Sequence, residues 1–445
     1  MKLVIGGGPA GRIAAMRLAE GGEEVTLVDR GGLGGQCLHY GCMVVCALND
    51  VARHRRQAAI LHERGFLDRI PEISFPSLLA EMAGIQDTIH RVIADETKNA
   101  GVTVLAGKTA AIDGATVTVG DEPVDHDGLL IATGSRPNVP AIEGITLPGV
   151  FSPHSLATMP GIPRRLAIIG GGVMAAEFTH IFGCLGAEVE VICRSGFLPS
   201  IDPRLRDQAR RDLSFATIRE HTLPVRIGGG DRARFMTIRC GEEEGEIDVD
   251  AVFVAAGLVP RSEAVSGIAK GPAGEILVDK RMRTNVPGVW AAGDVTGPPF
   301  LTPVARKEGQ VAADTMLGRE ARIDHAWIPQ SMSLMHDYAF CTGDIPGGRS
   351  LSIPAPAGPG NFWSVPDRRT GMAKISFGHE EGRITGMYAA APGAALFATY
   401  LAYLMRRGAT IHDFEDLCEV HPSTDGIYWL LQHTAGWLRK NTPKP

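Results

Sequence analysis

No stretch of this chain is apolar for long enough to cross a bilayer. The longest such run, Ala394 to Met405, is broken by Thr399, Tyr400 and Tyr403, well short of the roughly 20 residues a spanning helix needs. No secretory leader is visible, because Lys2-Leu3-Val4-Ile5 runs straight into a glycine cluster and leaves no room for the apolar core of a signal peptide. No membrane partner is therefore expected, and a cytoplasmic location is. Basic runs are missing too, and the net charge is −6, which argues against nucleic acid as a partner. Eight cysteines in 445 residues are too sparse for a secreted disulfide scaffold. A reducing compartment fits, and any disulfide there is expected to be catalytic.

Glycine, by contrast, is abundant. The 55 glycines gather in short loops rather than in a low-complexity tract, which points to tight turns beside ligands. Apolar residues at 44% and charged residues at 21% are ordinary for a globular protein. The length exceeds what one core supports, so two or three domains are expected.

The order of patterns sets the fold class. Leu3–Ile5 reads as a short buried strand, followed by a glycine turn, a helix from Arg12 to Glu20, and a strand Val25–Val28 ending at Asp29. Pro76 suits the first turn of a helix reaching about Asn99, and strand-like runs lead to Leu129-Leu130-Ile131-Ala132-Thr133-Gly134. The plan restarts at Arg165: strand Leu166–Ile169, turn Gly170-Gly171-Gly172, helix Val173–Leu185 and strand Val189–Ile192. Ala251–Gly257 echoes the earlier Leu-Leu-Ile-Ala-Thr-Gly segment, so two dinucleotide-binding units lie about 160 residues apart. After Trp327 come short strand-like segments and two apolar helix patterns. The expected class is α/β: two Rossmann-like dinucleotide-binding domains plus a C-terminal α+β domain.

Three motifs carry chemistry. In Gly6-x-Gly8-x-x-Gly11 the glycines let backbone approach a pyrophosphate at a helix N-terminus, and Asp29 at the next strand's end suits ribose hydroxyls. Gly170-x-Gly172-x-x-Ala175 repeats the motif, but its second strand ends at Cys193-Arg194 without an acid. Arg194 suits the 2′-phosphate of NADP better than the diol of NAD. The third motif is Gly34-Gly35-Gln36-Cys37-Leu38-His39-Tyr40-Gly41-Cys42. Such a C-x4-C pair alone could be two small buried residues, half a metal site, or a disulfide if the segment turns. A first helical turn at Cys42 would stabilise its thiolate through the helix dipole.

On these residues the chain resembles the class I flavoprotein pyridine nucleotide–disulfide oxidoreductases, the group of dihydrolipoyl dehydrogenase, glutathione reductase and mercuric reductase. The resemblance spans essentially the whole chain. It includes Ala132-Thr133-Gly134-Ser135-Arg136-Pro137, Gly170 to Glu177, and Thr284-Asn285-Val286-Pro287-Gly288-Val289-Trp290-Ala291-Ala292-Gly293-Asp294. Leu301-Thr302-Pro303-Val304-Ala305 and Val420-His421-Pro422-Ser423 extend it.

The resemblance implies a relay from NAD(P)H through FAD to a Cys37–Cys42 disulfide. Cys42 would be the thiolate nearer the flavin, Cys37 the interchange thiol, and His421 an acid/base supplied across a homodimer. Implied cofactor contacts are Gly6, Gly8, Gly11, Asp29, Thr133, Gly134, Ser135, Gly170, Gly172, Ala175, Glu177, Arg194, Gly257, Asp294, Leu301, Thr302 and Pro303. Implied domains are 1–150 and 276–326 for FAD, 151–275 for NAD(P), and 327–445 for dimerisation. The expected partner besides a second copy is a small or protein-bound disulfide or dithiol.

Three positions depart from the family pattern. Met43-Val44-Val45-Cys46 stands where Ile-Pro-Ser-Lys is usual, so Glu177 loses the lysine that normally pairs with it. A buried unpaired carboxylate tends to take up a proton, so either a protonated Glu177 or a substitute cation is expected. Gly426 replaces the glutamate that normally orients the histidine, with Asp425 beside it. Cys37, His39, Cys42 and Cys46 fall close enough in sequence for a zinc set, but the flanking glycines fit a flavin loop better and no metal is expected. Cys46 reads as a small buried residue, or more sharply as a third redox thiol; Cys184, Cys193, Cys240, Cys341 and Cys418 read as structural. The changes at Cys46 and Gly426 leave room for two other functions: a flavoprotein reductase of a quinone, metal ion, oxygen or protein, or a non-catalytic nucleotide-binding sensor.

Overall fold

The structure, a computed structural model, describes residues 1–343, 348–353, 371–378, 382–419 and 426–441. Its first layer is a five-stranded parallel sheet in the order Val289–Ala291, Gly128–Ile131, Lys2–Ile5, Val25–Asp29 and Thr103–Ala106. The inner strands are near-continuous apolar runs because both faces are covered; Leu3, Val4, Leu27 and Leu129 are all fully buried. The sheet edge where Ile5 and Ile131 end carries the glycine turn. Gly6 has φ +112°, and a Cβ there would meet the Ala132 carbonyl oxygen at 2.2 Å, so no other residue fits.

The second unit repeats the first. Its parallel sheet runs Thr217–Arg219, Glu188–Ile192, Arg165–Ile169, Ala251–Val254 and Val150–Phe151. Each unit carries an antiparallel excursion, just before Gly128–Ile131 in the first and just before Ala251–Val254 in the second. These are Ala110–Asp113, Thr116–Val119 and Glu122–Pro123 in the first unit, and Thr222–Gly228, Phe235–Cys240 and Glu243–Asp248 in the second. Ser135–Pro137 pairs antiparallel with Leu258–Pro260, tying the two units together beside the glycine turn.

The last part is an antiparallel sheet in the order Gln330–Ser333, Asp337–Thr342, Ile384–Ala391, Met372–Phe377 and Arg349–Ile353. Helices Ala394–Arg406 and Ile427–Asn441 cover one face through Phe397, Leu401, Leu430 and Leu438. The other face reaches the helices Cys42–Glu63 and Val173–Leu185, in a core that joins Leu48 and Phe178 with Leu334 and Tyr338. Among the described residues no helix is long and apolar enough to cross a membrane.

Candidate active site

The cysteine segment folds into two helices. Cys37 lies in the short helix Gly35–His39, and Cys42 is the first residue of Cys42–Glu63, so its sulfur sits at the positive end of a long dipole. The helix Thr302–Met316 begins opposite, and Thr302 Oγ1 lies 3.7 Å from Cys42 Sγ. All eight cysteines stand as thiols. Cys37 and Cys42 share a proton: hydrogen bonding from Cys42, helped by Thr302 and the Arg306 charge, lowers Cys37 to about 6 against its burial. The same sharing, then burial and the Cys37 charge, pushes Cys42 far above the ordinary thiol range. The pair thus gives up its first proton readily and keeps its second, with Cys37 the more acidic sulfur. Alkylation of the reduced pair by iodoacetamide is expected to be fast at pH 7 and to fall as pH drops below about 6.

Cys46 is exposed, contrary to its reading as a buried residue. It follows Cys42 by one helical turn and so shares the face that carries the sulfur pair rather than the face in the core. Cys240 and Cys418 are likewise exposed, whereas Cys184, Cys193 and Cys341 are buried. Among the described residues no group of three or more His, Cys, Asp or Glu is placed to hold a metal ion; His39 Nε2 instead lies 3.1 Å from the Leu33 carbonyl oxygen.

Glu177, expected to lack a lysine partner, has two compensating neighbours, the Ser333 amide and Arg53. Part of its side chain keeps solvent access while protein packs closely around the carboxylate, and burial pushes its pKa up to about 8. The Ser333 amide donates to Oε1 at 2.9 Å. Arg53, two turns beyond Cys46, is the nearby cation that lowers both Glu177 and Cys46. It is held by Asp337 Oδ1 at 3.0 Å, Ser333 Oγ at 3.1 Å and the Leu334 carbonyl, so its charge is shared. One turn past Glu177, His180 is buried with Nδ1 2.7 Å from Asn49 Oδ1 and with no partner for Nε2 among the described residues. Burial and the Arg53 and Arg56 charges lower it to about 3. The unfolded chain protonates this histidine near its ordinary 6.5, so stability is expected to fall as pH drops from there toward 3. His180→Gln should flatten that decline in thermal melts.

The residues present fit two dinucleotides. Gly8 and Gly172 are the N-caps of helices Pro9–Glu20 and Val173–Leu185, and neither helix has a side-chain cap. Both N-termini therefore present unsatisfied amides to a phosphate. Gly11 and Ala175 are buried at the helix–strand contacts, and Gly170 and Gly257 adopt left-handed φ at the turns after their strands.

Asp29 accepts the Gly7 amide at 2.6 Å and the Gly31 amide at 2.8 Å, which fixes the phosphate turn and leaves lone pairs for a ribose. Ser135 donates to Asp294 Oδ2 at 2.6 Å. Thr133 Oγ1 donates to the Arg261 carbonyl at 2.6 Å, so Thr133-Gly134 bridges the two units. Leu301 caps the helix that begins Thr302-Pro303, which brings this segment to the sulfurs. In the second unit Cys193, buried, donates to the Gly170 carbonyl, while Arg194 is exposed and free of partners among the described residues. His421 and Asp425 lie outside the described residues; Gly426 directly precedes the last helix.

Sequence reading missed Glu308. It is buried, accepts the Gly293 amide at 2.7 Å and the Thr296 hydroxyl at 3.2 Å, and lies 2.7 Å from His325 Nε2. It thereby holds the turn that aims Asp294. Glu308→Ala should cost about 1–3 kcal/mol by leaving the Gly293 N–H unpaired, visible as a lower melting temperature.

Residues 2–309 match the pyridine nucleotide-disulphide oxidoreductase family. Relatives include mercuric reductase of Shigella flexneri, 29% identical across 93% of this chain and 77% of that protein. Dihydrolipoyl dehydrogenase 2 of Haloarcula marismortui is 28% identical across 95% and 93%. Among solved structures, the HOCl-induced flavoprotein disulfide reductase RclA of Escherichia coli superposes with a TM-score of 0.84 at 22% identity, over 97% of this chain and 99% of that one; its Cu(II) complex gives 0.83 over 100% of both. Two uncapped glycine turns, a proton-sharing cysteine pair between helix N-termini and a match across most of the chain lead to one conclusion: this protein belongs to the pyridine nucleotide-disulphide oxidoreductases, enzymes that depend on FAD and use NAD(P)H.

Proposed function

We propose that the protein is an NADPH-preferring reductase of a small or protein-bound disulfide, working through Cys37 and Cys42. The observation that carries this reading is the placement of the pair: Cys42 begins a long helix with Thr302 Oγ1 3.7 Å from its sulfur, and hydrogen bonding from Cys42 draws Cys37 toward the thiolate that disulfide exchange needs. Bound FAD would supply the two-electron chemistry that links the nicotinamide to the sulfur pair. The chain holds it with Gly6, Gly8, Gly11, Asp29, Thr133, Gly134, Ser135 and Asp294 on residues 1–150 and 276–326, while residues 151–275 hold the nicotinamide nucleotide. Cys37, made acidic chiefly by hydrogen bonding from Cys42 and also by the Arg306 charge, attacks the substrate sulfur. Thr302 steadies Cys42, and His421 manages the proton of the leaving thiol across the dimer.

Arg194 carries the NADPH preference. Exposed beyond the second strand with no carboxylate at that strand's end, it has both the charge and the fork geometry for a 2′-phosphate. Arg194→Glu should shift the kcat/KM ratio for NADPH over NADH by ~10- to 100-fold toward NADH, measured at steady state.

A homodimer is supported by the Ala394–Arg406 helix. Leu396, Tyr400, Tyr403 and Leu404 form an exposed apolar stripe at helical spacing, the kind of patch that marks an interface. Tyr400→Glu with Tyr403→Glu should give a monomer by light scattering.

A non-disulfide acceptor is the second reading. One relative is named a mercuric reductase and one solved neighbour is a Cu(II) complex, and Cys46 adds a third sulfur beside the pair. Steady-state assays decide between them, using lipoamide, glutathione disulfide, coenzyme A disulfide and Hg(II) as acceptors with NADH and NADPH. The first reading expects one disulfide to be turned over by wild type and not by Cys37→Ser; turnover confined to the metal ion favours the second.

A further inference from the structure

The carboxylate missing from one strand end arrives from the next. In the second unit the strand Glu188–Ile192 leads to Arg194 with no acid of its own, the feature on which the NADPH reading rests. Its parallel neighbour Thr217–Arg219 ends level with it, Arg219 pairing with Ile192. The following residue, Glu220, reaches the turn that carries Arg194: Oε1 accepts the Phe197 amide at 2.5 Å. A Cβ built on Gly196 would stand 3.3 Å from the same oxygen. Oε2 is paired at 2.5 Å with Nη2 of Arg210, from the helix Pro203–Asp212. We infer that the Glu220–Arg210 pair is a second specificity determinant for the nicotinamide nucleotide: paired, it admits a 2′-phosphate beside Arg194; unpaired, Glu220 would select the ribose diol. The inference rests on the Arg194 reading and deepens it.

The turn is fastened at both rims, so the carboxylate has a fixed place in it. The Leu198 amide donates to the Gly171 carbonyl at 2.6 Å, which ties the turn to the glycines of the pyrophosphate site. On the other rim the Cys193 amide donates to the Arg219 carbonyl at 2.9 Å, the Thr222 amide to the Cys193 carbonyl at 2.9 Å, and the His221 amide to the Ser195 carbonyl at 3.1 Å. Phe197 is fully buried, and the Arg210 guanidinium lies 5.7 Å from its ring centroid, within cation–π reach. Arg194 and Ser195 are exposed on this frame.

Charge decides what the frame accepts. An acid where the second strand ends takes the ribose hydroxyls of NAD, and the same acid repels a phosphate ester. Arg210 removes that repulsion by neutralising Glu220. Against burial, the Phe197 amide and Arg210 hold the Glu220 carboxyl below its usual range, so the pair stays ionic. Arg219, another guanidinium at this edge, is taken up by Glu190 at 2.6 Å and offers no replacement. Arg194 then supplies the positive charge and the fork that a phosphate needs. Selectivity is a difference of affinities, so a charge that repels one nucleotide counts as much as one that attracts the other.

The test measures dissociation constants of NADP+ and NAD+ for the oxidised holoenzyme by calorimetry at low salt, so turnover plays no part. Wild type should favour NADP+. Arg210→Met bares the carboxylate and should lower that preference ~10- to 100-fold, chiefly through weaker NADP+ binding. Combining it with Glu220→Gln, whose side-chain oxygen still accepts the Phe197 amide, should recover most of the preference. Glu220→Gln alone frees Arg210 for the phosphate and should raise the preference ~3- to 10-fold. A wild-type preference in Arg210→Met, or a double variant no better than Arg210→Met, overturns the inference. Should Arg210→Met fail to fold, Glu220→Gln decides alone, and a preference unchanged or lowered there overturns it. Failure of the Arg194 reading shows separately, as an Arg194→Glu variant with the wild-type ratio.

Discussion

Cys42→Ser is expected to end disulfide turnover, lowering kcat by on the order of 10³-fold or more, the usual scale when a nucleophile is removed from a covalent relay. A hydroxyl cannot form the bond to Cys37. The pair's acidity is mutual as well: Cys37 is lowered chiefly by hydrogen bonding from Cys42 and only then by Thr302 and Arg306. Serine at 42 should therefore raise Cys37 toward the ordinary thiol value, and its alkylation at pH 7 should slow although the residue itself is untouched. Flavin content and melting temperature should stay near wild type, because the Cys42 side chain opens onto the site and packs into none of the apolar core. Stopped-flow turnover and alkylation rates on one preparation check all three outcomes. Retained turnover would remove Cys42 from the relay.

Gly11→Ala should be as damaging, by another route. A Cβ at this position would stand 1.9 Å from the Gly6 carbonyl oxygen and 3.0 Å from Ala132 Cβ. Both neighbours are packed tightly, and Gly6 itself is locked against the Ala132 backbone, so the helix Pro9–Glu20 must lift off the sheet. Overpacking of this kind costs ~1–3 kcal/mol where side chains can yield, and more where the obstacle is backbone. The displaced helix N-terminus no longer aims its amides at the pyrophosphate site. FAD affinity should fall by at least ~10- to 100-fold, so the variant should purify nearly colourless. Flavin absorbance per chain measures this directly; full flavin occupancy would show that the turn tolerates a methyl group.

Much of this was legible in the chain because it is local. A strand, a glycine turn and a helix occupy consecutive residues, so both dinucleotide units could be read from spacing, and their strands fall within a residue or two of the expected bounds. Cys42 at a helix start was legible for the same reason. What escaped depends on side chains brought together from far along the chain. Thr302 and Cys42 are separated by 260 positions and Glu177 and Ser333 by 156, and no periodicity links them. Cys46 reads from the sequence as a small buried residue, yet it is exposed, because the fourth position after Cys42 shares that residue's helix face. Arg53 had a signal that went unread: it stands seven residues after Cys46, two turns on the same face. Glu308 offered no such clue, since a lone glutamate in a helix normally reads as solvated surface.

The central claim is that electrons pass between bound flavin and the Cys37–Cys42 pair, and anaerobic titration of the holoenzyme with NADPH tests it most directly. The first equivalent should reduce the disulfide and raise a long-wavelength thiolate absorbance while the main flavin band persists, and only the second should bleach that band. Bleaching with the first equivalent, and no gain of titratable thiols, would contradict the account.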